Sequence, residues 1–254
     1  YSHIVMPEPG PLVEKVQAEP ISSHVMNLRW PWVACTSAAP QQVLDQTATA
    51  GLELIEHLAG VNPHVIISNT SVILMGAVAA IGLNKPHVWD IREYSMPGLE
   101  YVWDDAALTE LYRRCSNWVF FNSQNTAQHY RTLSEAKSSV VYPIVKLATL
   151  ATAGNRRSEE DPVVILVLGA VHPIKGQVDA LLAVKELVKQ KLNFKLLLAG
   201  PQTDPAYYRK LIELIEHSQL GDYVEFLGEA RRAQDLIAQA DVVLVCSRDE
   251  PFGR

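Results

Sequence analysis

The sequence lacks the marks of a nucleic-acid binder, a disulfide scaffold or a membrane span. Lys and Arg number 22 against 28 Asp and Glu, for a net charge of −6 and a pI near 5.8. No Lys/Arg-rich run exists. The densest basic spots, YRR at 112–114 and ARR at 230–232, read as solvated helix faces, so a nucleic acid would meet no continuous counter-charge. The three cysteines, Cys35, Cys115 and Cys246, lie far apart without a CxxC pair. That excludes a disulfide framework and a cysteine-based zinc site, and suits a reducing cytosol. No apolar run approaches the ~18–20 residues that span a bilayer, and VILMGAVAAIGL (72–83) reads instead as a buried helix. The opening YSHIVMPEPGPL has neither an initiating Met nor a basic n-region, so it does not read as a signal peptide.

Two phosphate-binding fingerprints are also missing. The segment GAVHPIKGQ (169–177) has neither the GxxxxGK[ST] spacing of a P-loop nor GxGxxG, which leaves an ATPase and an NAD site poorly supported.

What is present is a strand–helix rhythm. In the second half VVILVLG (163–169), FKLLLAG (194–200), YVEFLG (223–228) and VVLVCS (242–247) are short, β-branched and apolar, the composition of strands covered on both faces. Between them, Leu181, Val184 and Val188 share one helical face, Tyr207, Leu211, Leu214 and Ile215 another, and Ala233, Leu236 and Ile237 a third. Asp204-Pro205 supplies an N-cap and first-turn proline. The first half repeats the scheme, with strands expected at HVIIS (64–68), HVWDI (87–91), WVFFNS (118–123) and SVVYP (139–143), and a further one over 23–28. Helices are expected at about 40–58, 71–82, 104–115 and 124–134. KLATLATAGNRRSEEDP (146–162) loses the pattern and reads as a linker. The expectation is an α/β protein of two Rossmann-like, doubly wound parallel-sheet domains, 1–150 and 151–254.

In such folds ligands lie beyond the carboxyl ends of the strands. Four loops therefore matter: GAVHPIKGQ (169–177), GPQTDP (200–205), GEARR (228–232) and SRDEPFGR (247–254). In the first, Lys175-Gly176 stands where a helix begins, and free N–H groups beside an ammonium suit a diphosphate. Taken alone, Lys175 reads as a solvated lysine of a βα loop. In the last, Glu250 follows a buried strand, with Pro251 and Gly253 tightening the turn. A carboxylate there can accept hydrogen bonds from hydroxyls, and taken alone it reads as an exposed acid. Together, a diphosphate site and a hydroxyl acceptor at one crevice describe a nucleotide-sugar.

Here LGAVHPIKGQVDALLAV, LLLAGP, VEFLGE and ADVVLVCSRDEPFGR resemble the donor-binding domain of the family-4 retaining glycosyltransferases of the GT-B fold. NPHVIISNTSVILMGAVAAIGLNKPHVWDIREYSMP resembles the acceptor domain of bacterial members that build capsule, lipopolysaccharide and related glycans. The resemblance implies that Lys175 meets the donor diphosphate and offsets charge on the departing group. Glu250, with Pro251, Phe252 and Gly253, would hold sugar hydroxyls. Leu227, Gly228 and Glu229 would border the nucleotide base, while Gly169, Ala170, His172 and Gly200 line the donor loops. Asp90, where the family often has histidine, would contact sugar hydroxyls or the acceptor, or else cap a strand; Arg92 and Glu93 would form a local ion pair. Ala170 stands where many members carry arginine, and His172 would supply part of that charge.

The resemblance further implies a UDP- or GDP-sugar donor, a glycan or lipid-linked acceptor, retention of configuration, and no cofactor or metal. It points to the cytoplasm, with peripheral contact at the inner membrane face if the acceptor is lipid-linked. It also implies truncation at both termini, since a first strand with its glycine-rich loop would precede Tyr1 and a second motif glutamate would follow Arg254. A piece so cut would be nearly inactive. The sugar, nucleotide, acceptor and oligomeric state stay open. Two other readings stay open: a non-catalytic GT-B-like subunit that binds sugar-nucleotides or glycans, and a generic Rossmann-like binder. LRWPW (28–32) and EYVWDD (100–105) place aromatics that could stack on a sugar or simply pack.

Overall fold

The structure, a computed structural model, describes residues 2–28, 40–94, 105–130, 137–144, 158, 161–230 and 232–252. The chain forms two compact units, Tyr1–Pro143 with Pro251–Arg254, and Ile144–Glu250. Of the linker segment 146–162, all but residues 158, 161 and 162 lie outside the described residues. So do most of LRWPW and EYVWDD, Cys35, and the end of the helix expected to reach 134.

The first unit runs β1 (His3–Met6), α1 (Pro11–Gln17), β2 (Ser22–Val25), α2 (Pro40–Val61), β3 (Ile66–Asn69), α3 (Met75–Gly82), β4 (His87–Ile91), α4 (Asp105–Cys115), β5 (Trp118–Phe121), α5 (Gln124–His129) and β6 (Ser138–Val140). Strands β3-β4-β5-β6 form one parallel sheet in that order, and β1-β2 form a separate parallel pair. The sequence pattern does not reveal β1 and α1. Three prolines and a glycine between residues 7 and 11 look like loop punctuation, but Pro11 opens α1, where its missing N–H costs nothing. Helices α2 and α3 bury Ala50, Leu54, Leu58, Met75 and Ala79 against Ile66 and Leu28.

A second packing centre is aromatic. Trp89, Tyr112 and Tyr130 are almost fully enclosed and meet edge to face, with centroids 4.6 and 5.6 Å apart. Their polar tips are used: Trp89 Nε1 donates to the Thr70 carbonyl at 2.8 Å and Tyr112 Oη to the Ser71 carbonyl at 3.0 Å. The loop after β3 is thus fixed from below, with Thr70 at φ 130.

Histidines join β1, β2 and α2. His3 and His57 face each other through their Nε2 atoms at 2.8 Å, and His24 stacks on His57 at 4.0 Å. One of the two nitrogens must be bare to accept the other's proton. Burial, then the neighbouring His24, lowers the pKa of His3; burial, His24 and His3 lower that of His57. His87, enclosed between Ser68 and the Cys115 carbonyl, is lowered by burial, partly opposed by that carbonyl. These groups are depressed below an unfolded value near 6.5, so the folded state binds fewer protons than the unfolded one once pH falls below it. Stability of the first unit is therefore full above about pH 6.5 and falls as pH drops toward the folded pKa values. Melting temperatures between pH 7.5 and 5.5 check this, and a flat profile contradicts it.

The second unit runs β7 (Val163–Leu168), α6 (Gln177–Lys189), β8 (Phe194–Ala199), α7 (Pro205–His217), β9 (Val224–Gly228), α8 (Ala233–Gln239) and β10 (Val242–Leu244). All four strands are parallel, in the order β10-β7-β8-β9. The central pair β7 and β8 buries Ile165, Val167, Leu196 and Leu198 against Leu181, Val184, Tyr207, Leu211 and Ile215 of α6 and α7. Both predicted faces of those helices point inward. The outer strands differ from the expectation of two covered faces: Val242 and Val243 are each 42% exposed, and α8 buries none of its residues. A β-branched apolar run suits the pleat of an edge strand as well as that of a central one, so composition alone does not report cover.

Candidate functional site

The second sheet grows outward in one direction from β7 through β8 to β9, and then β10 is added on the other side of β7. This reversal is a topological switch point, where the loops leaving two neighbouring strands turn apart and open a crevice at the carboxyl edge. The loops flanking it are 169–176, after β7, and 245–250, after β10.

Local chemistry shapes the first of these loops. His172 caps a short 3₁₀ turn, Pro173–Lys175, its Nδ1 accepting from the Ile174 N–H at 3.4 Å. Gly176 then takes a left-handed conformation, φ 68 and ψ 26, before α6 begins. An added Cβ there would lie 2.1 Å from the Cys246 carbonyl oxygen, so only glycine lets the two loops touch. The contact is reinforced by Arg248, whose N–H donates to the Ile174 carbonyl at 3.1 Å and whose guanidinium reaches Asp179 at 3.2 Å.

These contacts bring together the two residues singled out in the sequence. Lys175 Nζ lies 2.6 Å from Glu250 Oε2, across 75 positions of chain. Both side chains are about one-third exposed or less, at 33% and 28%. The ammonium and the carboxylate pair directly at the switch point.

The helix end behaves differently from the sequence expectation. One of the first N–H groups of α6 is not free for an anion: the Tyr207 hydroxyl, reaching across from α7, accepts from the Val178 N–H at 3.2 Å. Burial raises the Tyr207 pKa, and the Val178 N–H partly opposes it. Sequence reading missed this cap because a tyrosine on the buried face of a helix looks like plain core. Tyr207→Phe is expected to cost about 1 kcal/mol, the price of an orphaned donor, and chemical denaturation checks it; an unchanged midpoint contradicts the cap.

The other expected residues are placed as follows. Gly169 and Gly200 stand side by side at the ends of β7 and β8, a Cβ on Gly200 falling 2.0 Å from the Gly169 carbonyl oxygen. The Ala170 carbonyl accepts from the amide of buried Gln177 at 2.8 Å. Gly228, at φ 68, accepts from the Gly200 N–H at 2.7 Å, and Leu227 and Glu229 beside it are exposed. Pro251 and Phe252 group with the first unit. The Pro251 carbonyl accepts from Ser123 Oγ and from Thr126 Oγ1, and Phe252 tilts against Tyr142 at 6.2 Å. Gly253 lies outside the described residues.

Asp90 is at the carboxyl half of β4 and pairs with Arg92 Nε at 2.9 Å. The expected Arg92–Glu93 pair does not form. On an extended backbone, residues two apart share a side while neighbours diverge, so Arg92 meets Asp90. Glu93 instead turns to the β3 loop, accepting from Thr70 Oγ1, the Ser71 N–H at 2.6 Å and Ser71 Oγ at 2.8 Å.

A cavity of about 540 Å³ opens elsewhere in the first unit, at the amino ends of β4 and β5, lined in part by Lys85, Arg114 and Lys137. Two of its three cations are already committed: Lys85 donates to Asn62 at 2.8 Å, and Arg114 pairs with Glu110, which Arg113 and Arg114 hold at a pKa of about 2. Among the described residues no helix is long and apolar enough to cross a membrane.

A four-stranded parallel α/β sheet in each unit, with the likeness to solved structures below, gives the GT-B fold. Residues 152–254 match the family model of glycosyl transferases group 1. The whole chain is similar to Anabaena HepE in complex with UDP-glucose, with a TM-score of 0.78 at 19% identity over 99% of this chain and 68% of that one. It is similar to a glycosyltransferase from Rickettsia africae, with a TM-score of 0.73 at 19% identity over 99% and 66%. It is also similar to sucrose-phosphate synthase from Thermosynechococcus elongatus, with a TM-score of 0.64 at 18% identity over 90% and 61%. No curated protein sequence matches the chain.

Proposed function

We propose that the protein is a retaining glycosyltransferase of family 4. It moves a sugar from a UDP- or GDP-sugar to a glycan or lipid-linked acceptor in cell-envelope polysaccharide biosynthesis. The observation that carries the reading is the 2.6 Å approach of Lys175 to Glu250 at the switch point. The group 1 family match over 152–254 and the UDP-glucose complex of HepE, a protein of the same fold, support it.

The proposed division of labour follows from charge. A sugar leaves its nucleotide as the bond from its anomeric carbon to the diphosphate breaks, and negative charge grows on the departing oxygen. A fixed ammonium favours that charge more than the ground state, which is what accelerates a reaction. Lys175 has this role, without a metal. Glu250 accepts sugar hydroxyls, which orients the anomeric carbon. With the Val178 N–H of α6 engaged by Tyr207, Lys175 carries more of the phosphate contact than a bare helix end would leave it. The 227–229 segment borders the base, and Asp90, held by Arg92, serves the acceptor side.

One observation favours the second reading, a binding subunit without catalysis: Ala170 leaves the β7 loop one cation short of the family pattern. A panel of UDP- and GDP-sugars, assayed on the full protein for transfer and for nucleotide release without acceptor, decides. Donor-dependent release lost in Lys175→Ala and Glu250→Ala supports the transferase, tight binding with no release supports the subunit, and activity unchanged in both variants removes the site.

A further inference from the structure

Resting on the donor-site reading above, we propose that Glu250 is a built-in competitor for the diphosphate and thereby selects the nucleotide-sugar over the spent nucleotide. Glu250 occupies Lys175, at 2.6 Å. A bare nucleoside diphosphate must displace the carboxylate and offers it nothing in return. A nucleotide-sugar displaces it too, but gives Glu250 hydroxyls to accept from.

Four features carry this. The pair is the most sheltered described ion pair of the second unit: its side chains are 33% and 28% exposed, against 70% and 43% for Arg248–Asp179 and 62% and 61% for Lys189–Glu186. Shelter makes the closed state persist, since fully exposed pairs are largely screened. The loops meet through other contacts, Gly176 against the Cys246 carbonyl and the Arg248 N–H on the Ile174 carbonyl, so the pair can open without the scaffold parting. Neighbouring donors are engaged: Arg248 by Asp179, and the Val178 N–H of α6 by Tyr207. Finally, Ala170 supplies no second charge. Entry of an anion therefore depends on Lys175, and Lys175 is held.

A ligand that needs a fractionally populated open state binds more weakly by the inverse of that fraction. For a sheltered pair this is roughly three- to tenfold. The test is a titration of UDP, with GDP in parallel, into the wild-type protein, Glu250→Gln, Lys175→Met and the double variant. Glu250→Gln is expected to tighten nucleoside diphosphate binding roughly three- to tenfold while weakening UDP-sugar relative to UDP. In the Lys175→Met background the same change is expected to do nothing, because the competition it relieves is gone. A gain that persists undiminished in that background means direct repulsion between Glu250 and the phosphates, and overturns the proposal. So does a Glu250→Gln protein that binds UDP as the wild type does. If that last result comes with binding lost in Lys175→Met, the donor site stands and only the competition falls. If no nucleoside diphosphate binds any of the four proteins, the donor-site reading falls and the competition with it.

Discussion

Gly200→Ala is expected to lower the melting temperature of the second unit by on the order of 10–20 °C, or to prevent its folding. The glycine, at φ 153, ends β8 directly beside the end of β7, and an added Cβ would lie 2.0 Å from the Gly169 carbonyl oxygen, 2.4 Å from its carbon and 2.9 Å from the Ala170 nitrogen. All three are backbone atoms where the chain leaves the central strand β7, so no side chain can swing away to make room. Strain and overpacking together amount to about 3 kcal/mol or more, a large part of the stability of a unit this small. The contrasting change is Gly221→Ala, which meets nothing within 4 Å and should leave the melting temperature within a degree or two. Equal effects at the two positions would contradict the packing described for the β7–β8 edge.

The second large effect falls on chemistry. Lys175→Ala is expected to reduce turnover by about 10²–10³-fold, the usual consequence of removing one preorganised group that meets charge growing in the transition state. Its side chain contributes little else, being partly exposed and absent from the unit's core, so the melting temperature should hardly change. On the proposed reading, in which Glu250 accepts sugar hydroxyls, Glu250→Ala is expected to act more on the ratio of turnover to KM, by roughly ten- to a hundredfold. A stable Lys175→Ala protein with full turnover would exclude the role assigned to the ammonium.

The meeting of these two residues is legible in the sequence for a simple reason. Each follows a short apolar strand, and in parallel sheets all such positions gather along one edge. The order β10-β7-β8-β9 then makes the two loops neighbours. Strands β7 and β8 are legible because a central strand is apolar at nearly every position. The edge strands β9 and β10 are legible as strands but their exposure is not: β10 has the same composition and is nonetheless substantially exposed. The Tyr207 cap on α6 depends on a hydroxyl arriving from the next helix, and no periodicity reports where a side chain's tip ends. Arg92 choosing Asp90 over Glu93 was within reach, since the alternation of a strand dictates it. The pair β1 and α1 was hidden by prolines that open a helix rather than break one. The family resemblance adds roles for residues that physical reading alone leaves as a lysine and an acid on a shared edge.

The most direct measurement is a crystal structure of the protein with the nucleotide-sugar chosen by the donor panel. The account predicts the diphosphate within hydrogen-bond distance of Lys175 Nζ, the Lys175–Glu250 pair opened, and a sugar hydroxyl on the freed carboxylate. A donor bound away from the β7 and β10 loops, or a pair still closed beside a bound donor, would contradict it.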